Sequence, residues 1–167
     1  MSVFFYVLTQ QILVCGYILQ TIRAKVGLPA AVLVSALLFS AIHTAAFGGA
    51  WIPPINVFGA GLVFCLAYAI TGNIWLPVAI HFAWNMLLGP ILGLTISGQG
   101  SLGLGWSGFE IAGPKTFNGG SIGIEGGLIV TFTTFTLTAI LIVLRARQEA
   151  PESGRDHSVS VSRSNDV

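Results

Sequence analysis

Charge is what this sequence lacks. Seven of its 167 residues are Lys or Arg and six are Asp or Glu, 8% in all, against the ~25% of a soluble domain. A folded surface facing water cannot be covered with so few charges. They are also unevenly spread: only Arg23, Lys25, Glu110, Lys115 and Glu125 precede position 145, and none lies between Lys25 and Glu110. A soluble enzyme is excluded, and so is a disordered chain. A net charge of +1 gives no footprint for nucleic acid or any other polyanion. Cysteine is scarce as well. Cys15 and Cys65 both sit inside apolar runs, so they make no disulfide framework and read as small buried side chains. The N-terminus has neither a basic segment nor a small-residue cleavage site, and does not read as a removable signal peptide.

What is abundant is apolar. Hydrophobic residues make up 54% of the chain, in continuous rather than alternating runs, which argues against a barrel. The fold class that remains is all-α, a polytopic transmembrane helical bundle, because a helix satisfies its own backbone in lipid. About five spans are expected, over 3–22, 29–47, 55–70, 74–94 and 124–144. Each is near the ~20 residues that cross ~30 Å of hydrocarbon. Together they make a membrane core over residues 1–144. Thr71-Gly72-Asn73 forms a turn, and Pro77 falls in a first helical turn, where its missing N–H does little harm. Residues 95–123 are dense in glycine and read as a long loop with no phosphate-cradling pattern. From Arg145 to Val167 the composition turns polar, which predicts a disordered tail. His157 lies there as a solvated bystander.

Arg23 and Lys25 follow the first span, and Arg145 and Arg147 follow the fifth. Four spans separate the clusters, so both fall on one side, which the positive-inside rule makes cytoplasmic. The reading is an integral membrane protein, of a plasma-type membrane, with a cytoplasmic C-terminus and bilayer lipid as its surroundings. Trp51, Trp75, Trp84 and Trp106 read as interfacial or packing aromatics.

Polar side chains inside a membrane are expensive and need a partner or a purpose. They occur at Gln10 and Gln11 in the first span, His43 in the second, and His81 with Asn85 in the fourth. At ~1.5 Å per residue, Gln11 lies ~20 Å from the cytoplasmic end, His43 ~21 Å, His81 ~12 Å and Asn85 ~18 Å. Three helices thus bring polar residues to a similar level. His81 and Asn85 are four apart and share a helix face. Two imidazoles joined by a side-chain oxygen suit a divalent metal with an open position for water. A single intramembrane His, or a Gln pair, equally suits interhelical hydrogen bonding.

These residues resemble the motifs of the CAAX-protease and bacteriocin-processing family of intramembrane endopeptidases. That pattern comprises Glu-Glu-x-x-x-Arg followed by Gly, then Phe-x-x-x-His, then His-x-x-x-Asn or Asp. Here the second part is Phe39-Ser-Ala-Ile-His43 and the third is His81-Phe-Ala-Trp-Asn85. Thr71-Gly72-Asn73-Ile74-Trp75-Leu76-Pro77 and Gly123-Ile124-Glu125-Gly126-Gly127 are similar to the family too. The likeness covers roughly residues 3–130. The first part departs from it: Gln10 and Gln11 stand where the glutamates are expected, and Cys15 where the arginine is. The resemblance implies hydrolysis of peptide bonds in the membrane, with a peptide or protein substrate. It also implies a divalent metal, zinc, held by His43, His81 and Asn85, and catalytic positions at His43, His81, Asn85, Gln10 and Gln11. In the family a glutamate is thought to activate the water. Gln cannot take a proton, so an impaired enzyme is expected, or an inactive member that binds peptides or confers bacteriocin immunity. Losing both acids together with the arginine leaves no unpaired charge behind. A small transporter fits less well, since the spans show no internal repeat. Family members usually carry helices before the glutamate helix, so the chain is expected to start late or to have lost its leading spans.

Overall fold

The computed structural model describes residues 2–96 and 111–150, and among these every regular element is helical. The first helix has three parts: α1 (Ser2–Gln11), a wide π-helical turn (Ile12–Ile18) and α2 (Leu19–Val26). The break before Pro29 starts α3 (Leu28–Ala41), where a proline in the first turn gives up no helical hydrogen bond. α4 (Ile52–Thr71) opens on Pro53 and Pro54 and closes on Gly72, whose φ of 62° is the left-handed helix stop that glycine adopts without strain. Asn73 Oδ1 accepts the Trp75 N–H at 2.8 Å and starts α5 (Trp75–Met86), which runs into a second π-helical turn over Leu87–Ile91. α6 (Lys115–Asn118) is a single turn, and α7 (Leu128–Glu149) closes the described chain.

Among the described residues, three helical stretches are long and apolar enough to cross a membrane: Val3–Val26, Ile52–Thr71 and Leu128–Glu149. Two shorter apolar ones, Leu28–Ala41 and Trp75–Ile91, stand beside them. The bundle is built round α4, whose most apolar window is 61% buried against 28% and 17% for the other two long stretches. Small residues set how closely the neighbours approach, as packing without a hydrophobic drive requires. A Cβ on Gly61 would lie 2.9 Å from the Ala36 Cα of α3, and one on Gly59 would lie 2.5 Å from Thr134 Oγ1 of α7.

Three expectations need adjusting. The second span was expected to stay helical to Phe47, but α3 stops at Ala41. The His43 N–H bonds to the Ser40 carbonyl, and a 3-10 turn follows over Thr44–Phe47. The described part of the glycine-dense segment is not plain loop: α6 and two 3-10 turns, Gly120–Ile122 and Ile124–Gly126, fold under the start of α7. Gly119 makes this possible, since its φ is 77° and a Cβ there would strike the Gly123 carbonyl. The tail was placed from Arg145, yet α7 stays helical through Glu149. Arg145 holds that polar end in place, with one guanidinium nitrogen on the Ala69 carbonyl at 3.1 Å and another on Glu149 at 2.8 Å. Glu110, Trp106, His157 and the rest of the tail lie outside the described residues.

Candidate functional site

Each polar residue is delivered by a local feature of the sequence. Gln10 and Gln11 end α1, where the backbone widens into its π-helical turn; such turns gather at functional sites. His43 lies just past the end of α3 because the Ser40 carbonyl takes its N–H. The Phe39 carbonyl is then one of the acceptors a helix end leaves over. The His43 ring folds back to meet it, with Nδ1 2.7 Å from that oxygen. His81 and Asn85 lie one turn apart on the inner face of α5, and both are buried.

The glutamines meet the histidines. Gln10 Nε2 lies 3.4 Å from His43 Nε2, a loose contact, and Gln11 Nε2 lies 3.0 Å from His81 Nδ1. Cys15 donates its thiol proton to Gln11 Oε1 at 3.2 Å. Aromatic rings clamp the imidazoles. Phe64 of α4 stacks on His81 at 4.9 Å between centroids, with 20° between planes. Phe39 lies 4.6 Å from the His43 ring and 5.9 Å, edge-on, from that of His81. Pairs of this kind add ~0.5–1.5 kcal/mol each beyond burial. Residues separated by 33 and by 70 positions in the chain thus converge. Asn85 shares the buried face of His81, but no described residue hydrogen bonds to its carboxamide.

A zinc ion is a poor match for these residues. Catalytic zinc takes three protein ligands, drawn from His, Cys and carboxylates. Among the described residues no three His, Cys, Asp or Glu side chains come together. One nitrogen of each imidazole is also faced by a glutamine amide. The donor set does not fit a resident metal.

Two contacts were not anticipated from the sequence. Asn56, 2% exposed, donates to the Glu125 carbonyl at 2.7 Å and the Gly127 carbonyl at 2.9 Å, and accepts from the Thr131 hydroxyl at 2.6 Å. It ties the start of α4 to the start of α7. The cost of an amide inside an apolar run, applied to Gln10 and Asn85, would have singled it out. Trp84, read as a packing aromatic, donates its indole N–H to the buried carboxylate of Glu125 at 2.9 Å.

Fold and site together define an integral membrane protein of apolar helices with a largely buried, uncharged polar cluster where three of them meet. The family model described as type II CAAX prenyl endopeptidase Rce1-like matches residues 1–87, a little over half of the chain and all of the pocket residues above. The chain belongs to that family of CAAX-type intramembrane proteases. No curated protein and no solved structure matches it.

Proposed function

We propose that this protein binds peptides at the membrane as a CAAX-type intramembrane endopeptidase and hydrolyses them slowly, for want of a carboxylate base. The family's name points to prenylated C-terminal peptides as the substrate class. One observation carries the reading: both positions expected to be acidic present amides, and each amide lies against an imidazole. An amide cannot accept a proton from water. The most available proton acceptor is His43 Nε2, held only by the 3.4 Å contact to Gln10, and imidazole is the commonest general base in enzymes. In this scheme His43 takes the proton of the attacking water, while His81 and Asn85 hold the peptide carbonyl. In this scheme the positive-inside rule puts the ends carrying Arg23, Lys25, Arg145 and Arg147 in the cytoplasm, and Arg145 bonds the Ala69 carbonyl near the close of α4, so the active end lies away from the cytoplasm.

Losing a general base costs ~10²–10⁴-fold. Cleavage of a membrane-presented fluorogenic peptide, measured in micelles, should therefore rise by that factor when Gln10→Glu, Gln11→Glu and Cys15→Arg are combined. A folded triple variant no faster than its parent sinks the proposal. The same pocket supports a second reading, a non-catalytic peptide-binding or immunity protein, because its side chains are uncharged and an amide stands at each position expected to be acidic. Under the first reading His43→Gln abolishes the parent's slow cleavage. Under the second the parent binds peptide without cleaving it, and His43→Gln changes nothing in the cleavage trace.

A further inference from the structure

The partners of the two imidazoles fix where their protons lie. An amide nitrogen only donates and a carbonyl oxygen only accepts. His43 Nδ1 faces the Phe39 carbonyl at 2.7 Å, so its proton is on Nδ1 and its lone pair on Nε2. His81 is the reverse. Its Nδ1 faces the Gln11 amide nitrogen at 3.0 Å and must accept, so the neutral ring carries its proton on Nε2. The amide's own orientation is held by the Cys15 thiol, which donates to Gln11 Oε1 at 3.2 Å. Both residues are fully buried, so each must find its hydrogen-bond partner within the protein.

We infer that the hydrogen-bond chain Cys15–Gln11–His81 locks His81 as its Nε2–H tautomer, so that the ring offers a ligand a hydrogen-bond donor fit for a peptide carbonyl and withholds the lone pair a metal would need. His81 Nε2 has no partner among the described residues. Asn85, one turn along the same face and 6% exposed, has a carboxamide with no partner among the described residues, and it supplies further N–H donors. A carboxylate at position 11 would act in the opposite sense: it accepts, draws the proton to Nδ1 and leaves the Nε2 lone pair free, as the outer carboxylate of a metal-bound histidine does. A single exchange of amide for acid thus inverts the polarity of His81 while its ring keeps the same neighbours. Cys15 acts only through Gln11 and is a positioning residue. Its place in the expected Arg position follows, since a neutral acceptor needs only a neutral donor.

The choice of ligand rests on the function proposed above; the tautomer does not. Long-range ¹⁵N–¹H spectra of the ¹⁵N-labelled full chain in micelles read each imidazole directly, with His157→Gln and His43→Gln assigning the signals. The parent should show His81 protonated on Nε2 and His43 on Nδ1. Cys15→Ser should keep that pattern, and Cys15→Val should give His81 as a mixture of tautomers. Gln11→Glu should move the His81 proton to Nδ1 and tighten zinc binding 10–100-fold, the range by which outer partners tune metal ligands. A parent with His81 protonated on Nδ1 overturns the inference, whatever the variants do, and so does Cys15→Val with the parental spectrum. Peptide titration is read separately: an Nε2–H tautomer in a protein that binds no peptide leaves the hydrogen-bond chain standing and removes the proposed function.

Discussion

Replacing Asn56 tests how the end of the bundle that carries the site is held together. Asn56→Leu keeps the volume and removes three hydrogen bonds, of 2.7, 2.9 and 2.6 Å, between α4 and the start of α7. Side-chain hydrogen bonds inside membrane proteins average ~0.6 kcal/mol and reach ~1.7. Three of them give roughly 2 kcal/mol, and the short distances place this set above the average. Part of the loss is recoverable, since the Thr131 hydroxyl can turn to the Gly127 carbonyl, four residues back, as Thr134 and Thr138 already do with theirs. Against that, the Glu125 and Gly127 carbonyls both lose the Asn56 amide. The expected destabilisation is about 2 kcal/mol, near 30-fold in the unfolding constant. SDS titration in mixed micelles, followed by tryptophan fluorescence, measures it, because Trp84 reports on the Glu125 turn. Thr131→Val completes a double-mutant cycle. A loss under 0.5 kcal/mol for Asn56→Leu, or strictly additive single and double variants, refutes the reasoning.

Gly61→Val should cost ~1–3 kcal/mol by overpacking, since the added Cβ meets the Ala36 backbone. Gly16→Ala has nothing within 4 Å of its Cβ and should hold or raise stability by ~0.5–1 kcal/mol; equal losses for the two in the same titration would contradict the packing described. At the other end, Glu149→Gln should shift stability by less than ~0.5 kcal/mol, because Glu149 itself is largely exposed. Arg145→Met should cost more, because it also strips the Ala69 carbonyl of its donor; the reverse order in thermal melts would be inconsistent with that role. Elemental analysis of the purified protein should find zinc well below one per chain, and a stoichiometric ion that survives dialysis would overturn the argument from the donor set.

The class of the molecule was legible in what it lacked. A chain without a charged side chain between Lys25 and Glu110 has nowhere to be but among lipids, and its apolar runs can satisfy their backbone there only as helices. The spacing of His81 and Asn85 put both on one face, and the cost of amides and imidazoles in hydrocarbon singled out Gln10, Gln11 and His43 as well. Helix ends were less legible. His43 ends α3 with its own ring, and Arg145 carries α7 past the point where the composition turns polar; both effects depend on atoms that meet only after folding.

Partners were decided by tertiary structure alone. Nothing in the order of residues says that Gln11 meets His81 while Gln10 meets His43, that Phe64 covers one imidazole, or that Asn56 holds α4 to α7. Helices in lipid gain little from burying one apolar face rather than another, so their rotation is set by where glycines allow close approach and where scarce polar groups can satisfy each other. Composition therefore determined the solvent and the kind of element. The direction of each hydrogen bond, and with it the side of each imidazole that is left for a ligand, was settled by which side chains came to face each other.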